Sequence, residues 1–179
     1  VQGLAKGEKM DSVIRHATEL GVAAFMPLIC ERSIVKLDAK KTRTRLDRWC
    51  SIAKSAAMQS GQPRIPEVLE PRSAKKAASE LAEVTAVLIC WEEAPQTASL
   101  AHAIERGLSE CTCARGDARI AVVVGPEGGL TEREVGFFLD ANPRASLVSL
   151  GASILRTETA GVVAPALTLY ELGKLGGTR

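Results

Sequence analysis

"RIAVVVGPEGGLTERE" (Arg119–Glu134) decides the fold of this chain. Its first half is a continuous apolar run, the pattern of a strand covered on both faces. Its second half places Gly125, Gly128 and Gly129 around Pro126 and Glu127. Glycine permits positive φ and close backbone approach to a ligand, and proline stiffens the turn. Thr131 with Glu134 three residues on writes a capping box, so a helix begins there and offers its first free N–H groups to the loop. A doubly covered strand that turns through glycines into a helix is the unit of a parallel α/β sheet.

The same alternation extends outward. "VTAVLICW" (Val84–Trp91) and "AAFMPLIC" (Ala23–Cys30) read as buried strands, and "ASLVSL" (Ala145–Leu150) as another. Met10, Val13, Ile14, Ala17 and Leu20 follow helical spacing up to Gly21. Further helices are predicted over Thr42–Ser60, Ser73–Leu81, Thr97–Arg106 and Thr157–Leu172, with a polar loop over Gly107–Asp117 and a short strand near Val68. The expected fold class is an α/β layer structure with a mainly parallel sheet.

Composition bounds the function. The chain has 179 residues, 46% hydrophobic and 3% aromatic, so the core is built of Ala, Val, Leu and Ile. The net charge of +2 argues for no partner by itself, but Lys36–Lys54 holds seven cations against two anions, a cluster that attracts phosphates or forms a solvated helix face. Five cysteines without zinc-like spacing indicate a reducing compartment and no structural metal. No run of 18 apolar residues predicts a membrane span, and no signal peptide is legible.

Ligands of open parallel sheets bind past the carboxyl ends of the strands. Three strand ends carry unusual loops: "CWEEAP" (Cys90–Pro95), "GPEGGLTERE" (Gly125–Glu134) and "SLGASILRTETAG" (Ser149–Gly161). The second is neither a P-loop nor G-x-G-x-x-G, and Glu127 repels phosphate. It reads either as a cradle for a nucleotide-like ligand or as a tight strand-to-helix turn. In the third, Ile154 and Leu155 are placed to line an apolar slot. Arg156 and Glu158 either face a polar substrate or pair with each other, and Thr157 is a candidate N-cap.

Together "GPEGGLTEREV" (Gly125–Val135) and "LGASILRTETA" (Leu150–Ala160) resemble the strings of the SPOUT methyltransferases, most closely those that methylate N3 of a uridine in 16S ribosomal RNA. The likeness continues through "KGEKMDSVIRHATELGV" (Lys6–Val22), "ERSIV" (Glu31–Val35), Arg48-Trp49 and "QSGQPRIPEV" (Gln59–Val68), covering nearly the whole chain. The chain departs from the family pattern at His16, Gln62 and Ala152-Ser153.

The resemblance implies a parallel sheet flanked by helices with a C-terminal deep trefoil knot, S-adenosylmethionine as cofactor, a homodimer, and the 16S rRNA of the small ribosomal subunit as partner, in the cytoplasm, with no membrane and no metal. Residues 1–179 would be the methyltransferase domain without the N-terminal PUA-like domain that family members carry. Cys90, Trp91 and Glu92 would meet the cofactor from the first loop, and Gly125, Pro126, Gly128 and Gly129 from the second. Leu150, Gly151, Ile154, Leu155, Thr159 and Ala160 would meet it from the third. Arg156 would stabilise the N3 anion. Glu127 and Glu158 are candidate bases, unless they orient loops by accepting backbone N–H groups. Arg32, Arg64 and the helix bearing Arg43, Arg45 and Arg48 would carry RNA phosphates. Rival readings are a SPOUT ribose 2′-O-methyltransferase, a non-catalytic RNA-binding module and a nucleotide hydrolase, the last lacking a phosphate loop and metal carboxylates.

Overall fold

The computed structural model describes residues 1–35, 38–111 and 113–176. Lys36, part of the basic cluster, lies outside the described residues. A central sheet contains β1 (Gln2–Gly3), β3 (Pro27–Ile29), β5 (Arg72–Ser73), β6 (Ala86–Cys90), β7 (Ile120–Val124) and β8 (Ala145–Val148). Their order is β5-β3-β1-β7-β6-β8, and every pairing is parallel. A small sheet pairs β2 (Ala24–Phe25) with β4 (Glu67–Val68). The helices are α1 (Lys9–Leu20), α2 (Ala39–Ser60), α3 (Ala74–Glu80), α4 (Leu100–Glu110), α5 (Glu132–Ala141) and α6 (Thr157–Glu171). Among the described residues no helix is long and apolar enough to cross a membrane.

The apolar run in β6 is covered on both faces, as its composition requires. Val87 and Ile89 pack with Ala77 of α3 and Phe138 of α5. Ala86 and Leu88 point the other way, onto Leu100, Ala103 and Ile104 of α4. Alternate residues of one strand thus serve two cores. A third cluster joins Met10 and Ile14 of α1 to Trp49 of α2. Cys30 is packed as a small hydrophobe, and burial pushes its thiol up to about 12.

The structure corrects several boundaries. "AAFMPLIC" is two strands, not one: β2 joins the small sheet and β3 the central one. Pro27, which has no N–H to give, opens β3, while the Met26 carbonyl accepts from the Gln2 amide at 3.0 Å. α4 begins later than predicted, with the Ser99 hydroxyl accepting from the His102 N–H, and runs through the expected polar loop to Glu110. Gly107 lies inside that helix because a Cβ there would stand 2.7 Å from Ala86 Cβ and 2.8 Å from the Thr85 carbonyl. Asp38 caps α2 by accepting from the Lys41 N–H, so that helix starts earlier than predicted.

The pairing of α1 with α2 turns on one buried carboxylate. Asp11 is 7% exposed. It accepts from the Trp49 indole N–H at 3.1 Å and from Arg48 Nε at 2.7 Å. Removing it strands a buried indole donor and releases a cation. Asp11→Ala is therefore expected to cost about 1–3 kcal/mol, read as a lower urea midpoint at unchanged slope.

Candidate active site

Three strand ends stop on one line. In the register of the sheet Cys90 lies beside Val124 on one side and beside Val148 on the other. The three loops quoted above therefore leave the sheet edge together, and they enclose a cavity of about 460 Å³. That volume suits a ligand of nucleoside size. Cys90, Trp91, Glu92, Gly125, Pro126, Gly129, Leu150, Gly151, Ile154, Leu155 and Ala160 all line it, as do Glu127 and Arg156. A larger hollow of about 570 Å³ runs past Phe25, Leu81 and Pro165, and none of the expected site residues opens into it.

The glycine loop is held from three sides. The Gly129 amide donates to the Pro126 carbonyl at 2.9 Å, with Gly129 at φ 72°. Arg32 Nη1 donates to the carbonyls of Gly128 at 3.3 Å and Leu130 at 3.4 Å. A Cβ on Gly128 would meet Arg32 Cβ at 3.0 Å, so this glycine exists for the arginine behind it, and it does not line the cavity. The capping box forms as predicted: the Glu134 carboxylate accepts from the Thr131 N–H at 2.9 Å. Glu134 is only 2% exposed and also accepts from the Glu31 N–H at 2.9 Å, which ties a neighbouring loop to the glycine turn.

The third loop joins the second through Thr157. Thr157 is the first helical residue and Arg156 the N-cap, a correction to the predicted cap. The Thr157 hydroxyl donates to the Gly125 carbonyl at 2.6 Å and accepts from Gln2 Nε2 at 2.8 Å. Gln2, Thr157 and Gly125 thus fasten β1, α6 and the end of β7 to one another. Thr159, expected in the slot, is exposed and does not line the cavity; Thr157 takes its place. Gly151 turns at φ 113°, and Ile154 beyond it is 84% exposed at the rim.

The charges sort themselves. Lys9 Nζ lies 3.1 Å from Glu127 Oε1 and 3.5 Å from Glu158 Oε2, so the two candidate bases share one ammonium. Glu127 also accepts from the Lys6 N–H at 3.0 Å. Burial works to raise its carboxyl, but the Lys6 and Glu127 backbone N–H groups and the Lys9 ammonium outweigh it and hold the group below the usual carboxylate range. A carboxylate so committed anchors a loop better than it takes a proton. Arg156 is exposed, and its guanidinium has no hydrogen bond or ion pair with any described residue; only its backbone carbonyl is engaged, accepting from the Ala160 N–H at 2.8 Å.

Of the arginines expected to meet RNA, Arg43 and Arg64 are exposed and Arg45 is half-buried. Two are occupied within the fold. Arg48 is drawn to Asp11 and Glu8, and Arg32 to the glycine loop. Gln62, one of the departures, donates to the Glu19 carbonyl at 2.8 Å and holds its loop to the end of α1. Sequence reasoning missed Lys9 and Gln2. Both meet their partners across more than a hundred residues, and no local spacing marks such a contact.

Residues 1–169 match the family model described as an RNA methyltransferase domain. The chain belongs to this family. It is 35% identical over 177 residues to a ribosomal RNA small subunit methyltransferase E of Bacillus subtilis, covering 98% of this chain and 66% of that protein. A ribosomal RNA small subunit methyltransferase E from Neisseria gonorrhoeae, solved bound to S-adenosylmethionine, superposes with a TM-score of 0.75 at 33% identity, over 94% of this chain and 63% of that one. A methyltransferase from Legionella pneumophila, solved with the same cofactor, superposes at 0.79 with 28% identity, over 95% of this chain and 64% of that one. The chain spans just under two thirds of the length of these relatives. Within the RNA methyltransferase domain family, then, this chain keeps a glycine-lined pouch at three sheet-edge loops and an unpaired arginine beside it.

Proposed function

We propose that this chain is the catalytic domain of an S-adenosylmethionine-dependent methyltransferase acting on N3 of a uridine in 16S rRNA of the small ribosomal subunit. The observation that carries this reading is the unpaired Arg156 standing at the mouth of a pouch built from three in-register strand ends. The residues fit the cofactor. A Cβ on Gly125 would crowd the Leu130 amide nitrogen at 3.0 Å, and one on Gly129 would stand 3.2 Å from Glu92 Oε1, so both glycines keep the cradle open. Backbone groups of Trp91, Gly129, Leu150 and Leu155 would hold the adenosine, and Glu92 would accept from ribose hydroxyls.

When bound, S-adenosylmethionine supplies a methyl group activated by its sulfonium. The protein aligns the target base and manages one proton. Arg156 places its guanidinium against the anion that forms as N3 loses its proton, and that proton leaves to water at the open rim. Glu127 and Glu158 stay on Lys9 rather than acting as bases. Exposed Arg43 and Arg64, with Arg45, would meet phosphates and give affinity without sequence choice.

The finer parts of the reading follow the resemblance. The C-terminal segment 149–157 would thread to form the trefoil knot, in support of which Ser149 N–H bonds the Ala98 carbonyl and Thr157 the Gly125 carbonyl. The exposed Leu167 and Tyr170 of α6 support a homodimer face. The enzyme would work in the cytoplasm with the small subunit. Calorimetry with S-adenosylmethionine and nucleoside analysis of 16S rRNA, with and without the gene, test the whole. N3-methyluridine that disappears with the gene supports it. A missing ribose 2′-O-methyl group instead, or no cofactor binding, overturns it.

A further inference from the structure

Two cations and two carboxylates meet at the pouch, yet only one cation does the pairing. Lys9, Glu127 and Arg156 line the same cavity, and Glu158 follows Arg156 by two residues. Lys9 takes both carboxylates, at 3.1 and 3.5 Å, and Arg156 takes neither. Glu158 Oε2 is closed off from water and has no hydrogen bond, so the Lys9 ammonium is the charge that compensates it. A buried carboxylate oxygen without such a charge turns toward the nearest cation.

We propose that Lys9 is a positioning residue which, by clasping Glu127 and Glu158, keeps Arg156 unpaired and available to the anionic substrate. This rests on the methyl-transfer reading above. Without Lys9 the stranded Glu158 captures the guanidinium two residues away. The clasp also explains why helix α1, which contributes nothing else to the cavity wall, reaches it with its first residue.

The test uses Lys9→Met, Lys9→Arg and Lys9→Met/Glu158→Gln in the full chain. Three quantities are read: kcat on small subunits, the calorimetric Kd for S-adenosylmethionine, and the rate at which phenylglyoxal modifies Arg156, mapped by mass spectrometry. Lys9→Met is expected to lower kcat at least about tenfold with Kd changed less than about threefold. It should also slow modification of Arg156, because an ion-paired guanidinium reacts poorly. Lys9→Arg keeps the clasp and the activity. The double variant, in which no carboxylate is left at position 158 to capture Arg156, regains kcat and the modification rate. Wild-type kcat in Lys9→Met, or a double variant as slow as Arg156→Ala, overturns the proposal. Should Lys9→Met fail to fold, the double variant decides alone by the same criterion. If the wild-type protein binds no cofactor and transfers no methyl group, the reading of function falls, and the modification rates still judge the clasp.

Discussion

Arg156→Ala is expected to lower kcat by roughly 10²–10³-fold, the loss that follows removal of one well-placed donor to a developing anion. The Kd for S-adenosylmethionine should move less than about threefold. The asymmetry follows from how the pouch is built. Its walls are loop backbone, held by Arg32, Glu134 and Thr157, while the Arg156 guanidinium stands at the mouth with no partner among the described residues. Removing it disturbs no contact that shapes the cradle. Arg156→Lys keeps the charge but loses the planar fork, and an intermediate kcat is expected. Stopped single-turnover assays with small subunits, beside calorimetry, separate the two quantities. Equal losses in kcat and in cofactor affinity would assign Arg156 to cofactor binding instead.

Gly3→Ala is expected to be the most damaging single methyl in the described chain. A Cβ on Gly3 would stand 2.3 Å from Pro126 N, 2.6 Å from Gly125 C and 2.7 Å from Pro126 Cδ. All three atoms belong to backbone or to a proline ring, so no rotamer relieves the clash. Either β1 leaves its place between β3 and β7, or the glycine loop moves away from it. The cost belongs at the top of the overpacking range, ~3 kcal/mol, which for a chain of this size is a fall in Tm of about 6–12 °C. Cofactor affinity should fall with it, because Gly125 and Pro126 line the pouch. Thermal unfolding and calorimetry on one preparation check both, and wild-type values in either would refute the account.

What was legible in the sequence was what neighbouring residues decide together. The apolar run of β6 demanded cover on both faces and has it, whereas in β7 only Val123 and Val124 are buried and Ile120, Ala121 and Val122 are half-buried beside the larger hollow. Thr131 and Glu134 wrote their capping box three residues apart and form it. The glycine spacing of the second loop marked a strand-to-helix turn. What stayed hidden is what distance decides. β1 and β5 are two residues each, too short to show any period, and are strands only because the sheet on either side holds them. Met26 breaks a run that reads as one strand, because the two halves pair with different sheets. Arg48 looked like a solvent-facing cation on a basic helix, and a buried aspartate on another helix claims it. Thr157 had the chemistry of a cap, but Gly125 and Gln2 engage its hydroxyl first. The Lys9 clasp joins residues 118 apart.

The central place of β1 also sets an order of events during synthesis. Its partner β3 follows it closely in the chain, but the other, β7, is translated more than a hundred residues later. The two halves of the sheet therefore remain unjoined until β7 has been made, and the hydroxyl that fastens α6 to β7 arrives later still. A nascent chain that stops short of residue 157 lacks both α6 and the Thr157 hydroxyl that ties it to Gly125, so the pouch is fastened only once that residue has been made.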